Sequence, residues 1–164
     1  HFLSLVLNDN CIAGTVLAIK NNPLPNDDKT YKTGRWHIDS WRPQEKIFLF
    51  LSDTTETSGP LEIIPNTNNA FFRIRKALEN GFFFNYLNFL NKKIPRNYSS
   101  ISDSKIKALF VRGYKAKPIL VKAGTVLVIN SSYLIHRAKP CKETERYALT
   151  AYYRSSEGYH DYDV

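Results

Sequence analysis

The sequence predicts a mainly β fold, two antiparallel sheets packed face to face with a helical insertion between strands. Three observations predict it. Short runs of β-branched and aromatic residues recur between turn formers, helical spacing is confined to the middle third, and the strand–helix alternation of a doubly wound parallel sheet is missing. With 164 residues, 43% of them hydrophobic, the chain can close one core and bury roughly 70% of its unfolded surface. A single domain over 1–164 is the natural reading.

In chain order, strands are expected at 3–7, 15–19, 35–39, 46–52, 61–64, 117–121, 125–129, 133–136 and 147–153. Between them lie turn signals: Asn8-Asp9-Asn10, the stretch 23–28, Ser58-Gly59-Pro60 and Ala123-Gly124. Phe71, Ile74, Arg75 and Leu78 repeat at helical spacing, with Gly81 as a C-terminal stop. A second helix is expected through Phe83, Tyr86, Leu87 and Leu90, and the polar stretch 95–103 reads as a loop. Strands, then helices, then strands again describe a double-sheet β-sandwich. Its largest inter-strand connection, 66–108, carries the helical insertion.

Composition narrows the partners. A net charge of +8 and a pI near 9.5 favour anionic partners. The charge is scattered, however, and no basic run or RNP-like motif marks a nucleic-acid module. A solvated basic surface is the plainer explanation, and an acidic small-molecule substrate is compatible with it. No apolar run reaches the ~20 residues of a membrane helix, so the chain reads as soluble. Two cysteines, Cys11 and Cys141, are too few for a disulfide scaffold and agree with a reducing, cytoplasmic compartment. The chain lacks methionine and opens at His1 within an apolar stretch, as a fragment would.

The chemistry centres on Trp36-His37-Ile38-Asp39. A histidine and a carboxylate two apart on a strand project from one face and can reach one cation. Alone, His-x-Asp is weak, since a strand-end histidine beside a solvated aspartate has the same letters. His136 follows 97 positions after Asp39, at the end of an apolar strand entered through Gly124. By itself it would more often be a packed core histidine. Together the three supply two imidazoles and a carboxylate, the facial triad that binds non-haem Fe(II) and leaves positions open for oxygen. Arg146 comes ten residues later, in alternation with Ala148, Thr150 and Tyr152. An inward guanidinium there needs an anion and suits a carboxylate; pointing outward, it would simply meet water. Trp36 and Trp41 flank the pair and are read either as the wall of a substrate pocket or as core.

The order of these elements resembles the phytanoyl-CoA dioxygenase family of 2-oxoglutarate oxygenases, over about Arg35 to Arg154. Ile47-Phe48-Leu49-Phe50-Leu51-Ser52-Asp53, with Ser58-Gly59-Pro60-Leu61 to Pro65, is similar to the strand and Gly-Pro-Leu turn after the family's His-x-Asp. Ala123-Gly124-Thr125 to Pro140, then Glu145-Arg146-Tyr147-Ala148-Leu149, resembles its closing strands. The chain departs from the family at Asn66-Thr67-Asn68, where Gly-Ser-His is usual, and at Ala148, where relatives place a hydroxyl. Thr150 or Ser52 is the candidate to take that hydroxyl's part. Only 36 residues precede His37, so the family's N-terminal helical region is expected to be lacking.

The resemblance implies a jelly roll, a cupin-like double-stranded β-helix with a helical insertion, and Fe(II), 2-oxoglutarate and O2 as cofactor and co-substrates. His37, Asp39 and His136 would hold the metal and Arg146 the C5 carboxylate. The implied reaction is hydroxylation of a small organic substrate with release of succinate and CO2, since related halogenases replace the aspartate retained here. Three rivals stay open: a catalytically incomplete jelly-roll module that binds metal or ligand, a cupin enzyme using no oxoacid, and a nucleic-acid oxygenase of the same fold.

Overall fold

The computed structural model describes residues 11–24, 34–39, 44–78 and 100–155. The expected strand at 3–7, the helix at 83–90, most of the loop at 95–103, Gly81 and Trp41 fall outside them. The described elements are β1 (Cys11–Asn21), β2 (Gln44–Phe50), β3 (Leu61–Ile63), α1 (Ala70–Leu78), α2 (Asp103–Val111), β4 (Lys117–Ile119), β5 (Val126–Asn130), β6 (His136–Ala138) and β7 (Arg146–Ser155).

They form a double-stranded β-helix of two antiparallel sheets, ordered β1-β7-β2-β5 and β4-β3-β6. Phe48, Phe50, Leu61, Ile129, Leu134 and Ala148 fill the space between the sheets. A second core includes Trp36, Ile38, Ile64, Phe72, Ile106, Leu109 and Ile135, which packs helical side chains against the far face of the smaller sheet. The smaller sheet is therefore covered on both faces, by helices on one and by the larger sheet on the other.

Local chemistry sets the element ends. Asn69 Oδ1 accepts from Phe72 N at 2.7 Å and caps the start of α1. Gly113, at φ 90°, follows the C-cap Arg112 of α2 and allows the left-handed turn that ends it. Gly59, at φ 70°, turns the chain into β3 where a Cβ would lie 2.5 Å from Lys139 O. Only glycine fits that approach without displacing backbone.

Two expectations need correction. The run 133–136 is not a strand that His136 closes; His136 opens β6. Asn130 is the reason, because its Oδ1 accepts from Tyr133 N at 3.1 Å and its carbonyl from Leu134 N at 3.0 Å. That side chain mimics a backbone turn and ends β5. The run 35–39 is also not a full strand. Among the described residues its sheet pairing consists of two isolated bridges, from His37 to His136 and to Ser100, flanked by Asp39 N donating to Ser131 O at 2.9 Å and Ile101 N to Trp36 O at 2.7 Å. Helix α2 was not anticipated, since its inward residues Ile106 and Leu109 stand beside exposed Phe110 and Val111 and blur the periodicity.

Candidate metal centre

His37 and His136 face each other across an antiparallel bridge. His37 N donates to His136 O at 2.9 Å, and His136 N to His37 O at 3.0 Å. Residues directly opposite in such a pair project from the same face, so two histidines distant in sequence bring their rings to 4.5 Å between centroids. Asp39, two residues beyond His37, returns to that face. Its Oδ1 lies 3.4 Å from His37 Nε2 and 3.5 Å from His136 Nε2.

The ring tautomers follow from the backbone. His37 Nδ1 lies 2.7 Å from Arg35 O, and His136 Nδ1 lies 2.8 Å from Leu134 O. A carbonyl only accepts, so each Nδ1 carries the proton and donates it, which turns each Nε2 toward Asp39. Three electron-pair donors then converge within 4.8 Å of one another. His136 is 1% exposed, and its Nε2 has no hydrogen-bond partner among the described residues. Such a set could hold a cation between its members. Ligand atoms in adjacent positions around a first-row ion bound at roughly 2.1 Å stand roughly 3 Å apart, close to the observed separations. The residues fit a divalent metal of the kind that two histidines and a carboxylate bind.

Asp39 is largely buried, which by itself would raise its carboxyl pKa. Contacts with His136 and His37 and the charge of Lys46 outweigh this and hold it far below the ordinary carboxylate range. It is a ready anionic ligand. Lys46 Nζ donates to Asp39 Oδ2 at 3.1 Å and lies over the rings of Phe48 and Tyr152, at 5.2 and 4.6 Å from their centroids.

Both histidines open onto a cavity of about 100 Å3 between the sheets, which Lys46, Phe48, Phe50, Leu61, Arg146 and Ala148 also line. On β7, Arg146, Ala148 and Thr150 are buried while Tyr147 is exposed, so Arg146 points inward as its alternation implies. Lys46 stands opposite Tyr152 and Phe50 opposite Ala148, which places Arg146 beyond the other end of the ladder from Lys46. The cavity thus has the two histidines and Lys46 toward one end, a guanidinium toward the other and apolar walls between.

Thr150, Ser52 and Trp36 are not part of that lining, and Trp41 falls outside the described residues. Thr150 is 1% exposed, faces inward opposite Phe48, and its Oγ1 has no hydrogen-bond partner among the described residues. Ser52 Oγ accepts from Tyr147 N at 3.0 Å. Trp36 alternates with His37 and points away from the cavity, into the helix-side core, where its ring meets Phe110 edge-on and lies under the Arg137 guanidinium. Lys46 was missed by sequence reasoning, which placed it only as the first residue of the strand expected at 46–52. Its phase with Phe48 and Phe50 was the available signal.

No family model matches the chain, and no curated protein matches it in sequence. Solved structures match it in fold. EctD from S. alaskensis, in its apoform, superposes with a TM-score of 0.62 at 13% identity, over 93% of this chain and 48% of that one. AviO1 from Streptomyces viridochromogenes Tue57 gives 0.57 at 15% identity, over 93% and 55%. SnoN, a non-heme alpha ketoglutarate dependent epimerase from nogalamycin biosynthesis, gives 0.55 at 10% identity, over 93% and 52%. The chain spans about half the length of these neighbours, and what it shares with them is the jelly-roll fold.

Proposed function

We propose that the chain is an Fe(II)- and 2-oxoglutarate-dependent dioxygenase of the phytanoyl-CoA dioxygenase type, which hydroxylates a small organic substrate and releases succinate and CO2. One observation carries this reading: the two histidines of a candidate metal-ligand triad, with Asp39 Oδ1 3.4 and 3.5 Å from their Nε2 atoms, line the same apolar cavity as a buried, inward arginine. A cation toward each end of a short apolar passage complements a linear dicarboxylate. His37, Asp39 and His136 would hold the metal, and Arg146 would fix the distal carboxylate in two-point contact. Phe48, Phe50, Leu61 and Ala148 would keep water from the reacting centre. Bound iron supplies the oxygen chemistry, while the protein binds, orients and excludes. Among structures of this fold, one of EctD holds bound Fe and SnoN is alpha-ketoglutarate-dependent.

The test is anaerobic titration of the protein with Fe(II) and 2-oxoglutarate, followed by the weak visible charge-transfer band of the chelate. The band is expected in the native protein and weakened in Asp39→Ala. Its absence from folded native protein would sink the proposal. A band without succinate formation on exposure to oxygen would favour the rival binding module without turnover.

A further inference from the structure

We propose that Lys46 is a positioning residue that divides the labour of the Asp39 carboxylate, locking Oδ2 so that Oδ1 alone is offered to the metal. The inference rests on the metal-centre reading above. The two oxygens already have different partners. Oδ1 lies 3.4 and 3.5 Å from the two imidazole Nε2 atoms, whereas Oδ2 accepts from Lys46 Nζ at 3.1 Å. A carboxylate without such a partner can turn about its last torsion and exchange its oxygens, or present both to one ion.

Lys46 is built to prevent this. It is 9% exposed, and its ammonium lies over the faces of Phe48 and Tyr152, two residues of the inner face of the larger sheet. Little conformational freedom is left to it. It also belongs to a different sheet from the triad, because β2 lies in the larger sheet while His37 bridges to β6 in the smaller one. The Lys46–Asp39 contact therefore references the carboxylate to the opposite wall of the cavity. Burying an ammonium is costly, and a well-packed apolar side chain of similar volume would often serve stability as well or better. The orientation of Asp39 is what the ammonium provides and an apolar side chain would not.

Two measurements on the 164-residue chain decide the matter. In the native protein, the infrared difference spectrum on adding Co(II) is expected to show the wide splitting of carboxylate stretches that one-oxygen ligation gives. A narrow splitting, from both oxygens on one ion, overturns the proposal without any variant. In Lys46→Met, close in length and uncharged, Co(II) affinity is expected to fall about 10–100-fold, as for loss of other groups that orient metal ligands, with a changed visible spectrum of the bound ion. Unchanged affinity and spectrum in Lys46→Met, or tighter binding, would show that the lysine does not orient Asp39. Failure of native protein to bind Co(II) would instead overturn the metal-centre reading itself.

Discussion

Arg146 is where a single atom pattern decides between ligands. A guanidinium offers two parallel N–H donors to a carboxylate, whereas an ammonium offers one point of charge. Arg146→Lys is therefore expected to weaken 2-oxoglutarate binding about 10–100-fold while leaving Co(II) affinity unchanged, measured by calorimetric titration of the metal-loaded protein. Equal loss of both ligands would make the arginine structural. Gly59 makes the converse case, since its role is only to be small. An added Cβ would meet Lys139 O at 2.5 Å and Cys141 N and Sγ at 2.8 Å, in a backbone region that disfavours side chains. Gly59→Ala is expected to cost about 2 kcal/mol or more in urea unfolding. These residues were legible for different reasons. The shared face of His37 and Asp39 follows from their spacing of two in an extended run, and Gly59 from turn chemistry. Lys46 and the outward turn of Trp36 depend on which face of a strand meets which partner, which one strand's letters do not state.

At the level of elements, two expectations concern buried groups away from the cavity. Leu109 is fully buried where α2 packs on the smaller sheet. Leu109→Ala is expected to lower unfolding stability by about 2–5 kcal/mol and, below the melting transition, to leave the Co(II) spectrum unchanged, because α2 contributes nothing to the cavity lining. Glu45 on β2 is 6% exposed, and burial raises its carboxyl pKa despite a hydrogen bond from Asn130 Nδ2 at 2.7 Å. The folded state then holds this proton more tightly than the unfolded chain, so stability falls as pH rises from the ordinary carboxylate value, roughly 4.3, through the raised one. Glu45→Gln should raise the melting temperature at neutral pH by a few degrees at most and leave it unchanged below about pH 4. The strands themselves were largely legible, with ends shifted by a few residues. The inward face of β5 was not: Val126-Leu127-Val128-Ile129 is apolar throughout, yet Val126 is 60% exposed and Ile129 only 7%, so hydrophobicity alone assigns no phase.

For the whole molecule, the proposed metal ligands tie together segments nearly a hundred residues apart. An ion that binds this arrangement and not the unfolded chain adds RT ln(1 + [L]/Kd), about 2.7 kcal/mol at a free concentration of 100 Kd. Co(II) is expected to raise the melting temperature of the native chain in scanning calorimetry and not that of Asp39→Ala. A two-sheet β architecture was legible from strand count and turn spacing, and the jelly roll from the family resemblance. The strand order was not, since β1 and β7 pair along nearly their full lengths from opposite ends of the described chain, and nothing local in either sequence announces a partner so remote.

The pairing of His37 with His136 also fixes where this chain can change length. Side chains alternate along β6, so a one-residue deletion between Ser131 and His136 that shifted the strand by one step would send the imidazole to the helix side and bring a neighbour to the cavity. Lineages carrying such a deletion would lose the centre at a stroke. At Gly113 an added Cβ would meet nothing within 4 Å, and extra residues there would extend into solvent. Insertions and deletions should therefore accumulate at that turn and be purged from the short stretch ahead of β6.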